Sequence, residues 1–195
     1  MEAVRQVLLL TALCLLVPVT HAADIHDDMI AHGARDGSVP AWVVSTVSPS
    51  GWVRDCCIHA RDIGVQAVIY EGPWSGKPQR VMVLNVWPAQ LPSLADDVDA
   101  DRKRYLQHDP AGKVAGFTLR HPTMPCEASV YEGSDKIDDV LVFCDPGLAS
   151  GARLSWSMAF DDADPARRAV LDDFMSVVMA TRWANDTRVP PADGQ

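Results

Sequence analysis

The sequence predicts an α+β protein in which an antiparallel sheet is flanked by helices and closed by an amphipathic C-terminal helix. Residues 153–160 alternate between apolar and polar side chains, a pattern typical of a strand with one buried and one exposed face. The apolar segments 128–132 and 137–143 flank the turn-forming sequence Gly-Ser-Asp-Lys and predict a β-hairpin. Across residues 165–183, apolar residues recur every three or four positions, which predicts a long helix. A meander of strands followed by a closing helix is typical of an α+β sandwich.

The first half of the chain predicts one short helix, a linker and three strands. The helix ends at Gly33, because glycine commonly terminates helices. The turn sequence Pro-Ser-Gly-Trp at residues 49–52 ends the first strand and places an aromatic side chain directly after it. The helix, the linker and the strands correspond to residues 24–32, 35–40, 41–47, 65–71 and 79–87.

A second helix and another strand precede the hairpin. Ser93 is a candidate N-cap, and Asp96 occupies the acidic position three residues later that completes a capping box. Residues 114–120 form the next predicted strand. In the closing helix, Asp164 is the predicted N-cap and a proline occupies the first helical position, where its missing N–H costs nothing.

The first 22 residues have the order of a secretory signal peptide. Arg5 provides a weakly basic start, residues 7–17 form an apolar run, and small residues stand one and three positions before Ala23. The apolar run is too short to span a bilayer comfortably. We therefore expect cleavage before Ala23 and a periplasmic or secreted mature protein. The alternatives are a retained membrane anchor and a lipoprotein attached through Cys14.

Beyond the signal peptide, the sequence predicts one domain with short flanking segments. The 173 residues that remain of 195 can bury a sizeable core, and a hydrophobic content of 48% with six tryptophans excludes a disordered chain. The predicted organisation is a signal peptide, an N-terminal helix and linker, a single α+β domain and a flexible tail, at residues 1–22, 23–40, 41–183 and 184–195.

The net negative charge of the chain restricts the classes of partner that it can bind. A net charge of −9 repels phosphate backbones, so we expect no nucleic-acid partner. The same charge suits a basic protein partner, although it also serves solubility alone. Arginine outnumbers lysine, which hints at a GC-rich bacterial genome and hence at the periplasm. After cleavage no stable membrane span is expected.

Four cysteines remain after cleavage, and an even number in an exported chain indicates disulfides. If the hairpin folds about Asp135, opposed residues have numbers that sum to 270, and Cys126 and Cys144 satisfy that sum. Directly opposed residues of an antiparallel pair lie close enough for a disulfide. We therefore predict a Cys126–Cys144 bond, which contributes about 3 kcal/mol if chain entropy dominates.

The adjacent pair Cys56 and Cys57 leaves several possibilities open. They can form a vicinal disulfide, remain free as small buried apolar side chains, or make intermolecular bonds. Because His59 follows two residues later, a thiolate–imidazole pair or part of a metal site is a further alternative.

No motif for catalysis, cofactor binding or metal binding is present. The sequence contains no nucleophile elbow, P-loop, dinucleotide fingerprint or zinc-protease motif. We therefore predict no catalytic residue, no cofactor and no metal ligand. Trp52 and Trp74 fall in turn regions, where exposed aromatic side chains could anchor a partner. The alternative is that both side chains cover the core of the sheet.

The order of elements resembles the PsbP/DcrB-like group, which is built on an antiparallel sheet flanked by helices. The resemblance spans residues 41–183. It rests on the Pro-Ser-Gly-Trp turn, the capped helix 93–108, the hairpin with strand 153–160, and the closing helix. It implies an exported, non-enzymatic accessory or binding protein, and it transfers no functional residues.

Three functional hypotheses follow. The favoured one is a non-enzymatic periplasmic interaction protein that binds another protein, and one version is an immunity protein that blocks a secreted antibacterial effector with an acidic face. The second is a small-ligand or lipid-binding envelope accessory protein, with an apolar pocket between the sheet and the closing helix. The third is an enzyme, either a thiol-dependent one using Cys57 and His59 or a hydrolase without a recognisable motif.

Overall fold

The computed structural model describes residues 29–37, 39–77 and 79–186. Within them the chain forms ten strands, three α-helices and one 3-10 turn, Leu148–Ser150. The strands in chain order are β1 (Met29–Gly33), β2 (Trp42–Ser45), β3 (Trp52–Asp55), β4 (Ala67–Glu71), β5 (Val81–Pro88), β6 (Lys113–Phe117), β7 (Cys126–Glu132), β8 (Ile137–Cys144), β9 (Ala152–Asp161) and β10 (Arg182–Asn185). The helices are α1 (His59–Asp62), α2 (Leu94–His108) and α3 (Arg167–Ala180). This architecture confirms the predicted α+β class.

The strands form two antiparallel sheets. The larger one has seven strands in the order β3-β4-β5-β9-β8-β7-β6, and the smaller one has the order β1-β2-β10. The helix α3 and the small sheet cover one face of the large sheet, which we call the core face. The helices α1 and α2 lie on its opposite face, which we call the outer face.

The core face carries the main hydrophobic core. Alternate residues of β9, among them Leu154 and Trp156, are fully buried against Phe174 and Val177 of α3. The indole Nε1 of Trp156 donates to Thr181 Oγ1 at 2.9 Å, which satisfies the buried ring nitrogen. Side chains therefore fill the space between the sheet and the closing helix, where the lipid-binding hypothesis places an apolar pocket.

The hairpin has the predicted register. Cys126 lies opposite Cys144, and each successive pair down to Glu132 and Asp138 keeps the sum of 270. In the turn, Asp135 Oδ1 accepts the Ile137 N–H at 3.0 Å, as expected for aspartate in a tight turn. The helix α2 also begins as predicted, with both hydrogen bonds of the capping box between Ser93 and Asp96.

The outer side of β9 differs from the prediction. The alternation of this strand predicts an exposed face, yet Arg153 and Ser155 are buried. β5 and β8 flank β9 within the sheet, and α2 brings Asp97 to Arg153, so that Arg153 and Ser155 have little exposed surface although the middle of the outer face is not covered by a helix.

The N-terminal prediction is wrong over the part that can be compared. Residues 29–33 form β1 rather than the end of a helix, and residues 24–28 lie outside the described residues. The reason is tertiary: β1 pairs with β2, whose residues are all buried, and it adds Ile30 and Ala31 to the core. The short elements β3 and α1 are absent from the predicted order.

The C-terminal boundaries also differ from the prediction. The closing helix starts at Arg167, later than the predicted first position at residue 165, and it ends at Ala180 rather than at residue 183. Residues 182–185, part of which the sequence assigns to the tail, form β10 and pair with β2. The predicted signal peptide and residues 187–195 of the predicted tail lie outside the described residues. In the described part of the chain, no helix combines the length and apolarity needed to cross a membrane.

Candidate binding groove

A groove of about 570 Å³ crosses the outer face of the large sheet. The helix α2 packs over β7 and β8, and α1 packs over the far end of β4 and β5, so that the middle of the face stays uncovered. We call this gap the sheet-face groove. It is lined by Gly64, Gln66, Asn85, Val86, Trp87, Asp101, Arg104, Leu141, Phe143, Ser155 and Ser157.

The floor of the sheet-face groove is polar and uncharged. Asn85 of β5 lies opposite Ser155 of β9, and Ser157 lies two residues along the same strand on the same face. The side chains of these three residues make no hydrogen bond within the part of the chain that the structure describes. The floor thus offers an amide and two hydroxyl groups, which can both donate and accept hydrogen bonds.

An aromatic pair forms one end of the groove. Trp87 and Phe143 meet edge to face, with ring centroids 5.9 Å apart and an interplanar angle of 82°. Leu94 and Val98 of α2 pack against this pair, so the pair is fixed by the same helix that walls the groove. The half-buried indole of Trp87 gives a ligand an apolar surface beside the polar floor.

The two charged residues that line the groove are paired with each other. Arg104 Nη2 lies 2.8 Å from Asp101 Oδ1, and the other oxygen of Asp101 accepts the hydroxyl of Tyr131 at 2.8 Å. Burial, together with the negative charge of Asp101, raises the pKa of Tyr131 above its ordinary value, so this hydroxyl remains a donor. The groove is therefore close to electrically neutral in a strongly acidic protein.

Buried polar contacts hold α2 against the sheet. The guanidinium of Arg153 is 7% exposed and lies 3.6 Å from Asp97 of α2 and 3.3 Å from Asp145. Arg102, one turn further along the helix, donates to Ser129 Oγ of β7 at 3.0 Å. These contacts set the width of the groove because they fix the position of its helical wall.

The opposite wall follows α1. Gln66 Oε1 accepts the backbone N–H of Val86 at 2.8 Å, and the Gln66 N–H donates to the carbonyl of Leu84 at 3.0 Å. Gly64 provides the turn after α1 with a φ of +76°, a conformation that L side chains rarely adopt. The wall is thus pinned to β5 at both the backbone and the side chain of Gln66.

A second cavity, of about 490 Å³, lies behind this wall. It is lined by His32, Cys56, Cys57, Arg61, Gly64, Val65 and Gln66, and we call it the disulfide cavity. A disulfide joins Cys56 to Cys57, which selects the vicinal bond among the alternatives considered above. The thiolate–imidazole pair is accordingly absent, and His59 instead stacks on Trp74 with ring centroids 4.6 Å apart.

The other residues singled out from the sequence lie away from the groove. A disulfide joins Cys126 to Cys144 on the core face, with the Cα atoms 4.2 Å apart. Trp52 is half-buried against the main core. Trp74 is half-buried in a small cluster with Tyr70 on the outer face. This packing favours the role of the two tryptophans as covers of the core, and their role as partner anchors stays a prediction.

A smaller cavity of about 300 Å³ beside the hairpin turn is acidic. It is lined in part by Tyr105, Asp109, Asp135 and Asp139. Burial, followed by repulsion from Asp135 and other nearby carboxylates, raises the pKa of Asp139 to about 6. No group of three or more histidine, cysteine or acidic side chains in the described part of the chain is placed to hold a metal ion.

The groove residues were not candidates from the sequence. Asn85, Ser155 and Ser157 occupy positions where a strand pattern places polar residues at the surface, so their identity is unremarkable in sequence. The sequence places Trp87 only at the end of a predicted strand. The sequence does show polar residues at the outward-facing positions of β5 and β9. It does not show that these two strands are neighbours, because the strand order of the sheet depends on contacts between distant parts of the chain.

Comparison with known proteins finds similar structures but no similar sequence. No family model and no curated protein sequence matches the chain. The structure is similar to that of LpqN of Mycobacterium tuberculosis, described as involved in cell envelope biogenesis, with 12% identity, a TM-score of 0.53, and coverage of 82% of this chain and 94% of LpqN. It is also similar to the PsbP protein CyanoP of Synechocystis sp. PCC 6803, with 11% identity, a TM-score of 0.47, and coverage of 77% and 95%. At this identity the similarity to LpqN shows a shared fold alone.

Proposed function

We propose that this protein is a non-enzymatic accessory protein of the bacterial envelope, exported to the periplasm, which binds an uncharged saccharide in the sheet-face groove. The observation that carries the proposal is the groove floor, where three polar side chains stand beside an aromatic pair without hydrogen-bond partners in the described structure. The predicted signal peptide and the fold shared with LpqN, a protein involved in cell envelope biogenesis, support an envelope location.

The chemistry of the groove favours a neutral ligand with two kinds of surface. A sugar ring has hydroxyl groups around its edge, which match the amide of Asn85 and the hydroxyls of Ser155 and Ser157. Its C–H face can lie against the indole of Trp87. An anionic ligand would have to separate Arg104 from Asp101 in order to pair with the arginine. It would also be repelled by a protein of net charge −9.

The groove also lacks the geometry of a catalytic site. The two serine hydroxyls of the floor have no hydrogen bond from a histidine or carboxylate among the described residues, which an activated nucleophile requires. The carboxylate of Asp101 is held by Arg104 and Tyr131. Binding without reaction is the role that these contacts support.

The test is a titration followed by amide and side-chain NMR signals. The tetramer of N-acetylglucosamine, added at millimolar concentration, is expected to shift the Asn85 side-chain amide and the Trp87 indole signals. Asn85→Leu should abolish the shifts, whereas Gln107→Leu, on an exposed position of α2 outside the groove, should preserve them. Unmoved groove signals would overturn the proposal, and so would the same shifts produced by trialanine but not by the saccharide.

A second candidate is the immunity protein, which the acidic surface near α2 favours. Asp96 and Asp99 are exposed on this helix, and Asp109 and Asp135 lie beyond its end. A basic effector would be attracted to this surface. Co-expression with periplasm-directed effectors encoded beside the gene tests it: protection should weaken in Asp99→Lys and persist in Asp172→Lys, a matched change on α3. Absence of protection by the unmodified protein would remove this candidate.

A further inference from the structure

The Cys56–Cys57 disulfide lies at the surface, next to the wall of the sheet-face groove. Cys57 is exposed and Cys56 is half-buried against the main core. A bond between neighbours in sequence closes a loop too short to restrain the unfolded chain much, so it adds little stability by the mechanism that explains most structural disulfides. Stabilisation of the fold therefore does not explain this disulfide.

We propose that Cys56–Cys57 is a thiol–disulfide exchange site, and that its reduction loosens the wall of the sheet-face groove. The part of this inference that concerns ligand binding rests on the proposed function. The exchange chemistry and the loosening of the wall do not, because both can be measured without a ligand.

The disulfide cavity suits an attacking thiolate. Its charged or titratable lining side chains are Arg61 and His32, both basic and both exposed, and the carboxylate of the adjacent Asp55 is engaged by the N–H groups of Ile58 and Ala60. The guanidinium of Arg61 has no ion pair or hydrogen bond within the described structure, so its charge is available. A positive side chain favours both an incoming thiolate and the thiolate that leaves. The charged lining of this cavity is thus basic, although the protein as a whole has a net charge of −9.

The chemical partner is a dithiol, such as the Cys-x-x-Cys site of a thiol oxidoreductase. Its thiolate attacks the Sγ of Cys57, the exposed member of the pair, the bond to Cys56 breaks, and the electron pair leaves on the Cys56 sulfur, which takes up a proton. The second thiol of the partner then attacks the mixed disulfide and releases Cys57. The two cysteines are thereby reduced to thiols, and the partner dithiol is oxidised to a disulfide.

A continuous set of contacts connects the disulfide to the groove wall. The Asp55 carboxylate accepts the N–H groups of Ile58 and Ala60 at 3.2 and 2.9 Å, and so holds the segment that contains the disulfide. The carbonyl of Ala60 accepts the N–H of Val65 at 3.0 Å. Gln66, the next residue, is bonded to β5 through Val86.

The two cavities also share part of their lining. Gly64 and Gln66 line both the disulfide cavity and the sheet-face groove, so they are the partition between them. Opening the ring restores torsional freedom to the segment before α1, and this freedom favours states in which the contacts of Asp55 and Gln66 are broken. Reduction should therefore weaken ligand binding by loosening the wall, with no group entering the groove.

The test is graded reduction of the folded protein, with glutathione and with thioredoxin, followed by alkylation and peptide mass spectrometry. Cys56 and Cys57 should be labelled before Cys126 and Cys144, whose disulfide is on the core face. Arg61→Glu should slow the reaction with glutathione about threefold or more relative to Arg168→Glu, an exposed arginine on α3 with the same change of charge. Failure to label Cys56 and Cys57 before the protein unfolds would overturn the proposal, as would equal rates in the two variants.

Hydrogen exchange measures the effect on the wall. After selective reduction, the amides of Ala60, Gln66 and Val86 should exchange about tenfold faster, while those of the hairpin stay unchanged. Cys56→Ser/Cys57→Ser should show the faster exchange without reductant and no response to it. Unchanged exchange at Gln66 and Val86 after reduction would overturn the coupling. The alkylation and hydrogen-exchange measurements need no ligand, so their outcome does not depend on what the groove binds. A saccharide titration without a response would therefore contradict the proposed function and leave the exchange site unaffected.

Discussion

Gln66 accepts the backbone N–H of Val86 through its side-chain oxygen, at 2.8 Å. The pairing of β4 with β5 ends at Ala67 and Leu84, so β4 provides no acceptor for the Val86 N–H. The side chain of Gln66, just before β4, provides that acceptor instead. It satisfies the Val86 N–H and at the same time fixes one wall of the sheet-face groove. A residue that serves the sheet is thus also one that shapes the groove.

Replacing Gln66 should therefore affect stability and wall mobility together. We expect Gln66→Leu to lower the free energy of unfolding by about 1 kcal/mol, because it removes the acceptor of a partly buried N–H. Gln66→Glu keeps an acceptor and should retain most of that stability. Urea denaturation measures the first effect, and faster exchange of the Val86 amide measures the second. Equal stability of the leucine variant and the original protein would show that water replaces the lost acceptor.

The buried guanidinium of Arg153 should be the most sensitive polar contact of α2. Arg153→Ala leaves the carboxylates of Asp97 and Asp145 without this cation, and we expect a loss of about 2–3 kcal/mol in the free energy of unfolding. Arg104→Ala removes an arginine of the same helix–sheet region that is 68% exposed, and it should cost below about 1 kcal/mol. Guanidinium denaturation distinguishes the two, and comparable losses would contradict the importance given to burial.

Elements specified by local chemistry could be predicted from the sequence. The hairpin has turn residues at its centre and strands of matched length, so its register follows from local sequence alone. The start of α2 follows from the hydrogen bonds of Ser93 and Asp96, which lie three residues apart. The buried face of β9 follows from its alternation.

Elements specified by distant partners could not be predicted in this way. β1 and β10 are four or five residues long and are strands only because β2 lies between them. Trp183 was assigned to the closing helix, yet it stacks on Trp42 of β2 with ring centroids 5.3 Å apart. The sheet-face groove is a gap between α1 and α2, and the position of a gap depends on how both helices pack.

The Cys126–Cys144 disulfide should contribute much more stability than Cys56–Cys57. The first joins residues 18 positions apart, so Cys126→Ser/Cys144→Ser should lower the free energy of unfolding by about 3 kcal/mol. The second closes a loop between neighbours, and its double serine variant should lose well below about 1 kcal/mol. Thermal and urea denaturation under oxidising conditions compare them. Non-reducing peptide maps that join Cys126 or Cys144 to the other pair would refute the pairing.

The stability of the protein should rise as Asp139 becomes protonated. The folded protein holds the pKa of this carboxyl at about 6, above the usual value of 3.8, because burial and nearby carboxylates disfavour its charge. Between about pH 4 and pH 6 the folded state therefore binds more protons than the unfolded state, and this term makes stability fall as the pH rises. Above about pH 6 the full penalty is present, and it amounts to at most about 3 kcal/mol.

Replacing this carboxyl with an amide isolates its contribution. Asp139→Asn should stabilise the protein at pH 7.5 and flatten the change in stability between about pH 4 and pH 6. Asp172→Asn, a substitution on an exposed position of α3, should leave the same profile unchanged. Urea denaturation at closely spaced pH values gives both profiles. An asparagine variant with the pH dependence of the original protein would place the titration on another group, because the amide has no proton to gain in this range.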